Sequence, residues 1–411
     1  MHRNVKLYLI YIALSTFSYS TIWGMFYSNF IYLVANSDES VGYAYGAYGI
    51  LALIAAFPAG LLADKFIKSK LIRFFATIAI LTNVIFLVST FMANIIMIYI
   101  TACIIGFSGT FLSAPLKALY SNSIQNGKER TDLSSKISIV TTIATTAGPL
   151  LSVVFFFFYS DQWKIVNLQI ILCAGIIIAA LSNIFLYFVV DINESEAEAE
   201  SEAESEVDQE TGLLIINQQS SPDLDRHRLY WLAPWILSLS DLLIASGSGM
   251  TLAYFPIYFR TVMNLEPIPV GLIYTICPLA ISLIMLISNK LVRFFGRPVI
   301  IIMADLIGSC CMFGLHFNLP LYCIITLFIL RTAMMQATAP IQEAVLMDAV
   351  NPEHRGKWSA VEGVTSFTWT GSALVGGFVV TYVGYKTTFL ITSIIYALGS
   401  AVLLPLLWIA K

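Results

Sequence analysis

The sequence predicts an all-α polytopic membrane protein with twelve transmembrane helices in two pseudo-symmetric six-helix halves. Three observations carry this prediction. The 411 residues are 58% hydrophobic and 11% charged, with mean hydropathy +0.81, a composition outside the soluble range. Twelve apolar runs each reach the roughly 20 residues that cross a bilayer as a helix. Elements of the first half also recur in the second: Ala114-Pro115, Asn126 and Arg130 reappear as Ala339-Pro340, Asn351 and Arg355, each 225 residues later (114 to 339). By the same shift Asp64-Lys65 falls on Asn289-Lys290.

The runs lie at 7–33, 41–63, 72–92, 95–121, 136–160, 166–190, 230–259, 269–288, 298–317, 320–347, 358–383 and 386–410. Lipid offers backbone groups no hydrogen-bond partner, and these runs are too long and continuous for barrel strands, so each reads as a helix. The first is far longer than a signal-peptide core and lacks a clear small-residue cleavage site, which keeps it in the mature protein. The division is a six-helix half over 1–190, an acidic linker over 191–228 and a second six-helix half over 229–411. Paired membrane halves around a cavity are a common way of building secondary transporters.

Charge placement predicts the topology. Residues 191–210 carry ten acidic side chains and no basic one; without them, 22 basic side chains face 15 acidic ones. Eighteen of the 22 fall at the termini and in even-numbered loops, and only Lys164, Arg260 and Lys386 in the others, with Arg331 inside a run. Basic residues collect on the cytosolic side, so both termini and the central loop are expected there. All six cysteines lie inside runs, where they read as small apolar packing groups; their spacing suits neither a metal nor a disulfide framework.

Within the central loop, Glu194 to Glu206 alternates acid with Ala or Ser. Such a segment repels itself and has nothing to bury, so it is expected to be a disordered tether. Farther along, Glu210, Leu214 and Ile215 resemble an acidic dileucine sorting signal for lysosomes or vacuoles. The plasma membrane is the other location left open. The sequon at Asn193 falls on the cytosolic side and should stay unmodified.

Run 2 ends Gly60-Leu-Leu-Ala-Asp64-Lys65-Phe-Ile67-Lys68-Ser-Lys70. This resembles the signature in the loop between helices 2 and 3 of the major facilitator superfamily: Gly, three residues, Asp, a basic residue, then Gly and further basics. Ile67 replaces the later Gly. In the second half, the 225 shift puts Asn289 at the Asp position, whereas aligning Gly296-Arg297 with the later Gly-basic pair puts Arg293 there; both alignments stay open. Gly148-Pro149 also resembles a Gly-Pro motif of that superfamily. The resemblance extends over the whole chain and names no substrate.

The motif's chemistry can be stated from its residues. Gly60 would let two helices approach closely. Asp64 would hold the N-terminus of a neighbouring helix through its dipole and pair with a basic residue such as Arg130, a contact made in one conformation and broken in the other. By resemblance, that neighbour is helix 11, which here begins near Trp358 with Glu362 one turn in; Lys68 and Arg355 complete the gating set. Lys68, Lys70 and Arg73 are equally accounted for by cytosolic orientation alone.

Ionisable groups at bilayer depth are expensive and are functional candidates by default. Asp241 lies about 11 residues, roughly 16 Å, into run 7, and Arg331 about as far into run 10 from the outer face. Asp305 lies about 7 residues, roughly 10 Å, from the cytosolic side of run 9. In the facilitator fold helices 1, 4, 7 and 10 line the cavity, which implies that Asp241 and Arg331 face it while Asp305 reaches Arg331 from behind. Arg331 then clamps a carboxylate or phosphate of the solute and Asp241 carries a coupling proton. Alternatively, Arg331 forms a permanent ion pair with Asp305 or Asp241 that fixes packing. Trp23 in run 1 is a candidate cavity wall.

The expected function is transport of a small organic solute, with an anionic one the leading candidate, by alternating access with or without H⁺ coupling. The rivals are a non-transporting receptor or scaffold and a lipid flippase of the same fold. There is no P-loop, Ser-His-Asp arrangement or zinc spacing, and Gly247-Ser-Gly249 follows no strand. An enzyme, a cofactor, a metal and a nucleic-acid partner are therefore not expected. The solute, the bilayer and, if coupled, H⁺ are the expected partners of a monomer.

Overall fold

The computed structural model describes residues 3–122, 128–190, 232–350 and 355–409. Among the described residues the secondary structure is helical, with no strand. The first segment contains α1 (Arg3–Trp23), α2 (Phe26–Ala35), α3 (Asp38–Lys65), α4 (Lys68–Met92), α5 (Ile95–Asn122), α6 (Lys128–Tyr159) and α7 (Ile165–Ile184). The second contains α8 (Ala233–Leu252), α9 (Phe255–Thr261), α10 (Pro267–Phe295), α11 (Arg297–Gly314), α12 (Leu321–Ala337), α13 (Ala339–Ala349), α14 (Arg355–Val402) and α15 (Leu406–Ile409). The face where α1 begins is called proximal below, and the face bearing the α2–α3 turn distal.

Among the described residues, eleven stretches are long and apolar enough to cross a membrane. The last, Phe367–Trp408, has 42 residues and would be about 63 Å long if straight, twice the roughly 30 Å of a bilayer core. It is not straight, because Gly384 leaves helical space at φ 81°, where a side chain would be strained. Just beyond it Tyr385 bonds to Asp38 at the distal start of α3. Leu403 and Leu406 then pack in one cluster with Ala233, at the proximal start of α8. The helix thus runs out to the distal face and back, which makes twelve passes with the turn between predicted runs 11 and 12.

Three predicted runs are broken helices. Run 1 divides at Gly24-Met25, run 7 at Ala253-Tyr254 and run 10 at Thr338. Pro256 and Pro340 each sit in the first turn after a break, where a missing N–H costs no helical bond. Pro115, the counterpart of Pro340, lies inside unbroken α5, so the duplicated Ala-Pro pair ends a helix in only one copy. At Gly24 a Cβ would stand 2.6 Å from the Ser20 carbonyl oxygen, so glycine is required at that break.

The two related turns also resolve the open alignment. α4 begins at Lys68 after Ile67, and α11 at Arg297 after Gly296, a displacement of 229 (68 to 297) that sets Arg293 opposite Asp64. Ile67 has φ −57°, open to any residue, whereas Gly296 has φ 84°. The glycine is needed in the second turn and dispensable in the first.

The core explains how the two segments meet. One distal cluster joins them, with Phe26, Tyr27, Phe30 and Phe156 from the first and Tyr254, Phe255, Phe259 and Phe328 from the second. Toward the proximal face, the described core is two separate clusters. One, around Leu71, Ile72, Phe75 and Leu112, belongs to the first segment; the other, around Leu237, Ile301, Ile341 and Leu403, belongs to the second. Among the described residues, apolar burial therefore joins the segments distally and forms separate clusters toward the proximal face. Large apolar side chains cover the outside, among them Phe57, Phe158, Phe294 and Trp408, each more than 75% exposed, as lipid contact requires.

Candidate functional site

Trp23, at the end of α1, is one wall of a cavity of about 230 Å³ lined also by Tyr19, Tyr45, Tyr48, Trp369 and Thr370. Tyr19 is one helical turn before Trp23, so the two rings share a face and lie nearly parallel, 6.3 Å apart at 21°. Tyr45 meets Trp23 edge-on at 5.5 Å and Tyr48 lies tilted at 5.2 Å. The first segment thus supplies four rings, and Trp369 of α14 closes the cavity from the second.

Backbone approaches seat two of these walls. A Cβ on Gly106 of α5 would overlap the Tyr48 carbonyl oxygen, and one on Gly249 of α8 would overlap the Trp369 carbonyl oxygen. Each wall rests on a neighbouring helix at a point where only glycine fits. The sequence analysis identified Trp23 and missed Tyr19, Tyr45, Tyr48 and Trp369. The signal it had was the four-residue recurrence of Tyr19, Trp23 and Tyr27 along one helix face.

The three intramembrane charges do not line this cavity. Arg331 of α12 is 1% exposed, with its guanidinium carbon 5.1 Å from the Tyr396 ring centre and 5.9 Å from that of Phe255. Its Nε and Nη2 have no hydrogen-bond partner, and neither has Oδ2 of Asp305, which is also 1% exposed. The ion pair expected between Arg331 and Asp305 or Asp241 therefore does not satisfy these atoms. Asp241 lies within electrostatic range of Asp305. Tyr274 of α10 is within electrostatic range of both Arg331 and Tyr45.

The distal rim is tied across the two segments. Tyr385 donates to Asp38 Oδ1 at 2.6 Å, Trp163 Nε1 to the Leu265 carbonyl at 2.8 Å, and the Ile268 N–H to Asp161 Oδ1 at 2.9 Å. The Arg260 guanidinium lies over Tyr32 at 5.6 Å and Trp163 at 6.0 Å. Below the rim, a Cβ on Gly42 would come within 3.0 Å of the Ala373 carbonyl oxygen, and one on Gly377 within 3.2 Å of that of Asp38. Helices α3 and α14 thus touch backbone to backbone there. Tyr385→Phe should remove about 1–3 kcal/mol from the closed rim, the range for a bond to a charged acceptor. Electron-spin distances between labels at Phe91 and Tyr382 should then show a new, longer population; an unchanged distribution would mean that the bond does not hold the rim.

The gating motif is only partly within the described residues. The side chains of Asp64, Lys65, Arg130, Arg355 and Glu362 lie outside them, as do Glu210, Leu214 and Ile215 of the sorting pattern. Lys68 is half-buried. Among the described residues, a Cβ on Gly60 would meet nothing within 4 Å.

The sequence matches the family model of the Major Facilitator Superfamily over residues 9–361. No curated protein matches it. Among solved structures it is similar to the nucleoside transporter NupG, at 14% identity and TM-score 0.68 with 99% of each chain covered. It is also similar to a D-xylose-proton symporter, at 16% identity and TM-score 0.71 with 97% of each covered. A bacterial homologue of the iron transporter ferroportin in an inward-facing state matches at 14% identity and TM-score 0.70, covering 100% of this chain and 99% of that one. At these identities the likeness is one of fold. The family match spans most of a chain whose twelve passes close around an aromatic cavity, and the protein belongs to the major facilitator superfamily.

Proposed function

We propose that the protein moves a small organic solute across its membrane by alternating access around the aromatic cavity. The observation that carries this reading is the shared distal core above two separate proximal ones, with the cavity walled by both segments. Such an arrangement is one side of a rocking cycle between two six-helix halves. The positive-inside distribution makes the proximal face cytosolic, so this conformation opens inward. The membrane is the plasma membrane or, if Glu210 to Ile215 is read by sorting machinery, a lysosomal or vacuolar one.

The buried acids are the proposed coupling site. Asp241 and Asp305 lie within electrostatic range of each other in helices long and apolar enough to span the membrane, where ionisable groups are functional candidates. Asp305 and Asp241 would take up and release H⁺ as the conformation changes. Arg331 would supply their counter-charge in the opposite conformation, since its two idle donors and the idle Asp305 oxygen are costly here. An anionic solute would have to reach Arg331, which Phe255 and Tyr396 cover in this conformation.

A metabolite-library uptake screen in proteoliposomes, with and without an imposed pH gradient, tests the reading. Wild type should accumulate a solute more when the gradient is imposed, and Asp305→Asn should transport it at a rate insensitive to the gradient. Equal gradient dependence in that variant would remove the coupling role. Headgroup exchange without solute flux would make the protein a flippase, and partner binding without any flux a scaffold.

A further inference from the structure

We infer that the cavity walled by Trp23 and Trp369 is a ring-binding subsite for an uncharged organic solute with one flat apolar face and polar groups at its edge. The inference rests on the transport reading above and specifies its substrate class.

Charge comes first. Tyr19, Trp23, Tyr45, Tyr48, Trp369 and Thr370 bring no formal charge to the wall. Aromatic faces carry the negative end of a quadrupole, so a carboxylate or phosphate placed here would meet repulsion and no cation. Arg331 does not line the cavity and is buried against Phe255 and Tyr396. A cationic solute would gain from the ring faces, but no carboxylate lines the cavity to complete its neutralisation. A neutral solute incurs neither cost.

Shape and volume then narrow the class. Trp23, stacked near-parallel with Tyr19, offers its flat ring as a platform, and the edge-on Tyr45 bounds it. A flat molecule stacks on such a platform where a branched aliphatic one would not. A cavity of about 150 Å³ holds benzene, so the present 230 Å³ accommodates a substituted single ring or a small bicycle. Tyr45 is already hydrogen-bonded to Ser28 at 3.0 Å, which fixes its ring as a wall. The hydroxyls of Tyr19 and Tyr48 and the indole N–H groups lie at ring edges, where a solute's edge groups would meet them. An aromatic heterocycle and the apolar face of a pyranose share this chemistry.

Saturation binding to the purified full-length protein in nanodiscs, with four probes, tests the inference. The probes are caffeine (a flat neutral heterocycle), methyl β-D-glucopyranoside, benzoate and phenyltrimethylammonium. One of the two neutral probes should bind, and which one separates heterocycle from sugar. Trp23→Ala and Trp369→Ala should each weaken its binding at least tenfold, Trp369→Phe less than threefold, and Trp408→Ala, which alters the lipid-facing surface, not at all. Binding confined to benzoate or phenyltrimethylammonium would overturn the inference, as would a neutral probe indifferent to both tryptophans or the failure of all four to bind folded protein. Solute flux in the uptake screen that survives Trp23→Ala would overturn the subsite while leaving transport standing; absence of any flux would overturn transport itself.

Discussion

Gly249→Ala is expected to destabilise the protein by about 3 kcal/mol, the upper end for overpacking, and to abolish transport. The added methyl would overlap the Trp369 carbonyl oxygen. That atom belongs to the backbone of α14 and cannot rotate away, so either α8 and α14 separate or Trp369 shifts in the cavity wall. Gly106→Ala should act alike from the other segment, through the Tyr48 carbonyl. Gly60→Ala is the control, because among the described residues nothing lies within 4 Å of its Cβ, and its melting temperature should match wild type. Thermal unfolding in detergent beside uptake in proteoliposomes reads both effects. A Gly249→Ala protein with wild-type melting and uptake would show that α8 and α14 are not held at this distance.

Arg331→Met is expected to raise stability while lowering uptake more than tenfold. A buried cation with two unpartnered donors carries a desolvation cost that its two ring contacts only partly offset. Replacing a whole buried ion pair by apolar groups of similar volume is often neutral or stabilising by about 1–4 kcal/mol, and a cation whose Nε and Nη2 have no partner lacks even part of a pair's compensation. Methionine keeps much of the length and packs well against rings. The opposed signs matter: if Arg331 were merely structural, its loss would lower stability, and if it were idle, uptake would not change. A protein both less stable and still active would remove Arg331 from the coupling site.

Many features were legible in the sequence because the bilayer itself enforces them. Lipid demands long apolar helices with every backbone bond satisfied internally, so run boundaries follow from hydropathy. The turn between runs 11 and 12 needed no contact information, since it lies between two apolar runs beside Lys386, and Gly384 makes it. Helix breaks were less legible. Pro340 follows one and Pro115 does not, since a membrane helix can absorb a proline when its neighbours satisfy the freed carbonyl.

The aromatic cavity lay beyond reach for a different reason. Trp23 was identifiable as a large side chain at mid-membrane depth, but Tyr48 and Trp369 are separated from it by 25 and 346 residues (23 to 48, 23 to 369). Which face each helix turns inward is decided by packing partners such as Gly106 and Gly249, and hydropathy is nearly uniform around these helices. Arg331 illustrates the same limit. Its place within an apolar run followed from counting residues, whereas its enclosure by Phe255 and Tyr396 depends on how α9, α12 and α14 are placed against one another.

The sequence by itself determined the all-helical polytopic architecture, the order of its apolar runs and the residues that carry the resemblance to the facilitator signature. These are properties of one chain segment against one solvent, and elementary transfer costs govern them. Only the tertiary structure decided that the two segments share a distal core, that Asp241 lies within electrostatic range of Asp305 while Arg331 sits among rings, and that five aromatic side chains share one cavity. Each of those is a relation between helices distant in sequence, set by close packing at a few small residues that no single-segment property records.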